Sequence, residues 1–196
     1  ANEGLFRIGI VGDLLAALVA VLLAQGLYAL LRSQSEGLAQ AALLLKLAEA
    51  FLIGVIGLGS LTALVLLRGT APAATPGSGE VLALVGLFVS GRTTLFAIPM
   101  AFLAVNFTIF LSLLVRSGLV PRPLAVFGVV SYVLIGFYAL VTILSPTLAG
   151  MVAVQAVCWV PSCLFELLAG GWLLVRGAGA VAPSGALNLE QEHVAR

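Results

Sequence analysis

The chain has 196 residues, 62% of them hydrophobic and only 9% charged, with a mean hydropathy of +1.22 and a formal net charge of +1. That much apolar surface cannot be covered in water, so the composition excludes a soluble globule and predicts an all-α polytopic transmembrane helical bundle whose first partner is the lipid bilayer. The near-neutral charge gives no basic field, which excludes nucleic acid as a partner.

A bilayer-spanning helix needs roughly 20 apolar residues, because the hydrocarbon is about 30 Å thick and each helical residue rises about 1.5 Å. Five segments meet that requirement. The first runs over about 8–31, interrupted only by Asp13 and Gln25, and stops at "RSQSEG". The second covers about 38–67. It is followed by "RGTAPAATPGSGE", whose prolines, glycines and small polar residues read as a loop. The apolar stretch from Val81 to Val115 is too long for one straight crossing and is interrupted by "SGRTT". Residues 81–89 read as a half-buried or interfacial lead-in, and 93–115 as the third span. "RSGLVPRP" makes a short turn, with Pro121 and Pro123 setting the entry to a fourth span over about 124–144. The fifth, about 151–175, contains Pro161, an expected kink. Residues 1–176 thus form the transmembrane helical domain, and 177–196, with little to bury, a flexible C-terminal tail.

Arg32, Arg116, Arg122 and Arg176 fall on one side of this five-span count, and Arg7, Arg68 and Arg92 on the other. The positive-inside rule then places the C-terminus in the cytoplasm, in a multi-pass arrangement suited to the bacterial cytoplasmic membrane. "ANEGLFRIG" lacks an initiator methionine and a signal-peptide pattern, so a missing N-terminal helix, giving six spans in all, is expected.

Charges within the apolar runs are the candidate functional residues. In "LLLKLAEAFLIGV", Lys46 and Glu49 share a helix face at a spacing of three, about 13 and 18 Å from the arginine-marked boundary. Asn106 and Glu166 each lie ten residues before an arginine, about 15 Å deep. The four form one midplane layer: a buried polar cluster that serves as a ligand or proton site, or as a structural staple fixing helix register. Asp13 lies about 28 Å from Arg32, near the outer interface, where Arg7 or Arg92 can meet it. Asp13 and Arg92 read as interface anchors. The alanines at 16, 20 and 24 and the glycines at 54, 57 and 59 read as close-packing faces. Cys158 and Cys163 read as buried packing residues and His193 lies in the tail, so no metal site is expected. No nucleophile motif is present, and nothing in the pattern names a cofactor.

Four stretches carry a likeness: "EGLFRIGIVGDLLAALVAVLLAQGLYALLR", "LAQAALLLKLAEAFLIGV", "RSGLVPRPLAVFGVVSYVL" and "FELLAGGWLLVRG". In order and spacing they resemble an uncharacterised bacterial multi-pass membrane family, the domain of unknown function 4386 family. The resemblance implies a further helix before "EGLFRIG" and acidic residues at Asp13, Glu49 and Glu166. It also implies an arginine at the position of Lys46 and a histidine near Asn106. This chain keeps the charge at the first of those two positions and lacks the imidazole at the second, which weakens metal or proton chemistry there. The resemblance implies no activity.

The function expected from the residues is that of a non-enzymatic integral membrane protein. It would be an accessory or assembly subunit with a membrane-protein partner or a second copy, or a bundle that binds a lipid or apolar ligand. The alternative is a small secondary transporter or proton-coupled permease using the midplane Lys/Glu cluster.

Overall fold

Apolar runs in lipid must satisfy their own backbone groups, and here they do so as helices throughout. The computed structural model describes residues 3–67 and 78–176. Within them lie α1 (Glu3–Leu31), α2 (Glu36–Leu67), α3 (Ser78–Leu95), α4 (Ala97–Ser117), α5 (Arg122–Leu144), the single turn α6 (Pro146–Ala149) and α7 (Val152–Arg176). Five stretches are long and apolar enough to cross a bilayer: α1, α2, the α3–α4 run, α5 and α7. Most of the loop after α2 and the tail from 177 lie outside the described residues.

On α1 and α2 buried positions recur at spacings of three, four and seven, as on helices packed along one face. On α1 the fully buried residues are Ile10, Ala17, Ala24 and Leu31, seven apart. Of the ridge expected at 16, 20 and 24, Ala24 is buried and Ala20 half-buried, while Ala16 is exposed and Ala17 is buried in its place. On α2 the buried seam reads Ala39, Ala42, Lys46, Glu49, then Ser60 and Ala63. Small residues make up half of the α1 seam and most of the α2 seam, which lets the backbones approach closely there. Of the three glycines expected to do this on α2, only Gly59 has a neighbour at contact distance, the Phe88 ring.

Three polar-to-apolar transitions set the helix ends. At Arg32 the chain leaves α1, and the Gln34 amide closes a turn onto the Leu31 carbonyl at 2.9 Å. Gly118, at φ 70°, takes the left-handed conformation that ends α4, a position where a side chain would be strained. Pro146 lacks the amide needed to continue α5, which stops at Ser145.

The long third stretch departs from expectation. α3 begins at Ser78 and runs without interruption through "SGRTT" to Leu95, and the ladder steps at Phe96. The polar segment stays helical with its groups met within α3 and across to α1: the Ser90 hydroxyl donates to the Gly86 carbonyl at 2.6 Å, and Arg92 pairs with Asp13. The step belongs to Pro99, which has no N–H for the Leu95 carbonyl and whose ring crowds it. Pro161, by contrast, is carried inside α7 without interrupting it.

α4 is the central helix, packed on α5, α2, α1 and α3. At the arginine end, Leu31, Ala39, Leu113 and Val120 meet in one cluster, so Arg32, Arg116 and Arg122 flank the same end of the molecule. Farther along, Met100 and Ala104 pack on Ile135 and Ala139. α7 has one main neighbour, α5. Phe165 reaches α5 beside Gly128, where a Cβ would lie only 2.6 Å from the ring. Any larger residue at that position pushes the two helices apart.

Candidate functional site

The heptad seam of α2 carries Lys46 and Glu49 into the interior, where each is 3% exposed. An isolated charge at that depth costs several kcal/mol, so each must be paired. Lys46 Nζ donates to Glu49 Oε1 at 2.7 Å, one turn away on the same helix. The second carboxylate oxygen is held from α4: Asn106 Nδ2 donates to Glu49 Oε2 at 2.8 Å and to the Phe102 carbonyl at 2.8 Å. Both oxygens of Glu49 are thereby occupied and the ion pair is electrically closed. Asn106 is fully buried, and its Oδ1 accepts no hydrogen bond from any described residue.

Two aromatic rings extend this centre sideways. Lys46 Nζ lies 5.3 Å from the centroid of Phe107, within cation–π range. Phe107 stacks on Tyr132 of α5, with centroids 4.5 Å apart and planes 12° from parallel. The Tyr132 hydroxyl then donates to Glu166 Oε1 on α7 at 2.7 Å, while Phe165 closes on the same ring edge-to-face. The order across the bundle is Asn106, Glu49, Lys46, Phe107, Tyr132, Glu166.

Three of the four residues expected in the midplane layer therefore share direct contacts, and Glu166 does not. It stands at an exposed position of α7, one residue past the buried Phe165, and reaches the cluster only through Tyr132 and Phe107. Axial depth places a residue in a layer, whereas its angle around the helix decides what it touches. Phe107 and Tyr132 were not read as site residues from the sequence. Tyr132 lies ten residues after Arg122, so the depth count that located Asn106 and Glu166 also points to it.

At the end opposite the arginine cluster Arg92 ion-pairs with Asp13, joining α3 to α1, and its guanidinium lies 6.0 Å from the Phe96 ring. Arg7 is taken by Glu3 at 2.9 Å on the exposed start of α1. Cys158 is buried, but Cys163 is exposed, unlike the packing role expected of it. No group of three or more His, Cys, Asp or Glu residues with metal-binding geometry occurs among the described residues.

The arrangement offers a closed, charge-neutral Lys–Glu–Asn centre and, at the far end of an aromatic bridge, a carboxyl group on the outer face of the bundle. Neither set contains an activated nucleophile. No curated protein and no solved structure matches the chain. A family described as Domain of unknown function (DUF4386) matches residues 1–177, and the chain belongs to that family.

Proposed function

We propose that this chain is a non-enzymatic accessory or assembly subunit of the bacterial cytoplasmic membrane, with the face of α7 around Glu166 as its docking surface for another membrane protein. One observation carries the reading: Glu166 is exposed on a helix with a single main neighbour, about 15 Å from the arginine-marked boundary. A charge facing lipid at that depth costs roughly 3 kcal/mol or more, and Tyr132 supplies one hydrogen bond to only one of its oxygens. A partner helix bringing a hydrogen-bond donor would remove that cost.

Native mass spectrometry after gentle extraction tests this. The wild-type chain is expected to retain a stoichiometric partner, either another protein or a second copy. Glu166→Leu is expected to release it while the helix content stays unchanged. A wild-type chain that leaves the membrane alone would overturn the reading.

A second reading, a proton-coupled permease, is favoured by one feature: an ammonium and a carboxylate, Lys46 and Glu49, are enclosed in contact inside the bundle. The Phe107 ring between them and Glu166 carries no exchangeable proton, so the pair and Glu166 would act as separate sites. Flux in proteoliposomes would then fall in both Glu49→Gln and Glu166→Gln variants. Unchanged flux in either removes that carboxyl from the path.

A further inference from the structure

On the side of the bundle formed by α2 and the α3–α4 run lies a cleft of about 300 Å³, near the small end of the range for ligand sites. Leu52, Val55, Ile56 and Gly59 of α2 form one wall, and Phe88, Leu95, Ile98 and Pro99 help to form the other. Gly59 has no side chain to fill the space between the walls, and the Phe88 ring leans into the space it leaves. Arg92 is the one charged residue in the lining.

The order along the membrane normal is informative. Asp13, the partner of Arg92, lies nineteen residues before Arg32, about 28 Å from the arginine end. That distance puts the pair at the outer edge of the hydrocarbon, which is about 30 Å thick. Phe88, beside Gly59, lies one turn to the far side of Arg92, and Leu95, Ile98 and Pro99 follow Arg92 toward the interior, with Leu52 level with Leu95 on α2. The cation thus stands in the wall, with the longer apolar part of the cleft leading inward from it. A cation at that level with an apolar slot below it is complementary, in both charge and depth, to one kind of molecule: an amphiphile with an anionic head near the interface and a chain below it. Arg92 is half-buried and keeps part of its surface open. Its guanidinium carries five N–H donors, more than Asp13 alone can use.

We propose that this cleft is a phospholipid site, in which Arg92 binds the lipid phosphate and the slot lined by Leu52, Leu95, Ile98 and Pro99 takes one acyl chain. The site is separate from the face of α7 and does not depend on its role. Asp13 holds the guanidinium in position and competes with the phosphate for it.

The test is native mass spectrometry of the full chain in detergent, titrated with dioleoyl phosphatidylglycerol and, separately, with dioleoylglycerol, which has the same chains and no phosphate. The wild-type chain is expected to retain the phospholipid about tenfold better than the diacylglycerol, as the loss of one charge-assisted contact implies. Arg92→Gln should erase that preference. Val55→Phe, which fills the slot, should lower retention of both lipids. Asp13→Asn separates the binding role from a purely structural one, because it breaks the same ion pair yet leaves the cation. Retention is expected to hold or rise in Asp13→Asn if Arg92 binds phosphate. Equal retention of the two lipids by the wild-type chain, or the same loss in Asp13→Asn as in Arg92→Gln, would overturn the proposal. Should Arg92→Gln fail to fold, the Asp13→Asn and Val55→Phe comparisons still decide it.

Discussion

Removing the ammonium from the buried pair, as in Lys46→Met, should be far more damaging than removing the pair together. At 2.7 Å and an effective dielectric constant of about 20, the attraction between the two charges is about 6 kcal/mol. Most of that is offset by the cost of taking both groups out of water, so the intact pair contributes little net stability. Truncation of one partner exposes the uncompensated cost of the other, about 3–5 kcal/mol for a buried pair. Glu49→Gln offers one acceptor where the carboxylate had two, turns an NH2 toward a donor and leaves the Lys46 charge uncompensated, so it is expected to cost a similar amount, about 3–5 kcal/mol. In the double variant Lys46→Met/Glu49→Gln the remaining amide is neutral and still meets Asn106. Its stability should lie above that of Lys46→Met alone, with a coupling of at least about 1.5 kcal/mol. The assay is reversible unfolding in mixed micelles followed by tryptophan fluorescence, with Trp159 and Trp172 as reporters on α7. Single effects that simply add would refute the reasoning, because they would mean that the two side chains do not carry opposed charges in contact.

Gly128→Leu should cost about 1–3 kcal/mol through collision with Phe165, and Phe165→Ala on the same background should recover part of the loss in thermal melting. Tyr132→Phe keeps the stack on Phe107 and removes the hydroxyl that donates to the lipid-facing carboxyl of Glu166, so it should cost about 1.5–3 kcal/mol. Tyr132→Ala, which empties a fully buried position, should cost about 3–5 kcal/mol in the same assay. Asn106→Leu withdraws the second donor from Glu49 and should cost about 1–3 kcal/mol, read as a lowered denaturant midpoint.

The five helical stretches long and apolar enough to cross a bilayer among the described residues were legible because length and hydropathy define them, and the pairing of Lys46 with Glu49 was legible because a spacing of three places both on one face. Contacts between helices were harder to read, since depth supplies one coordinate and the rotation of each helix supplies another. Asp13 and Arg92 met as one of two pairings their depth allowed. Glu166 shares its depth with Lys46 and Asn106, yet the seam of α7 runs through Cys158, Ser162 and Phe165, and a shift of one position turns the carboxyl outward. The seam on α1 shows the same sensitivity, with Ala17 rather than Ala16 inside. "SGRTT" looked like a helix break because its residues are polar. Their hydrogen bonds close within α3 or onto α1, and a proline several residues later causes the step instead.

α7 rests chiefly on α5, seated where Phe165 fits beside Gly128, and only the short segment from Ser145 to Met151 connects the two helices. An element that rests on one neighbour opens at a lower free-energy cost than the rest of the bundle, so α7 is the helix whose amides should exchange first. The glycine that lets the two helices approach so closely is then what holds the least-supported helix in place.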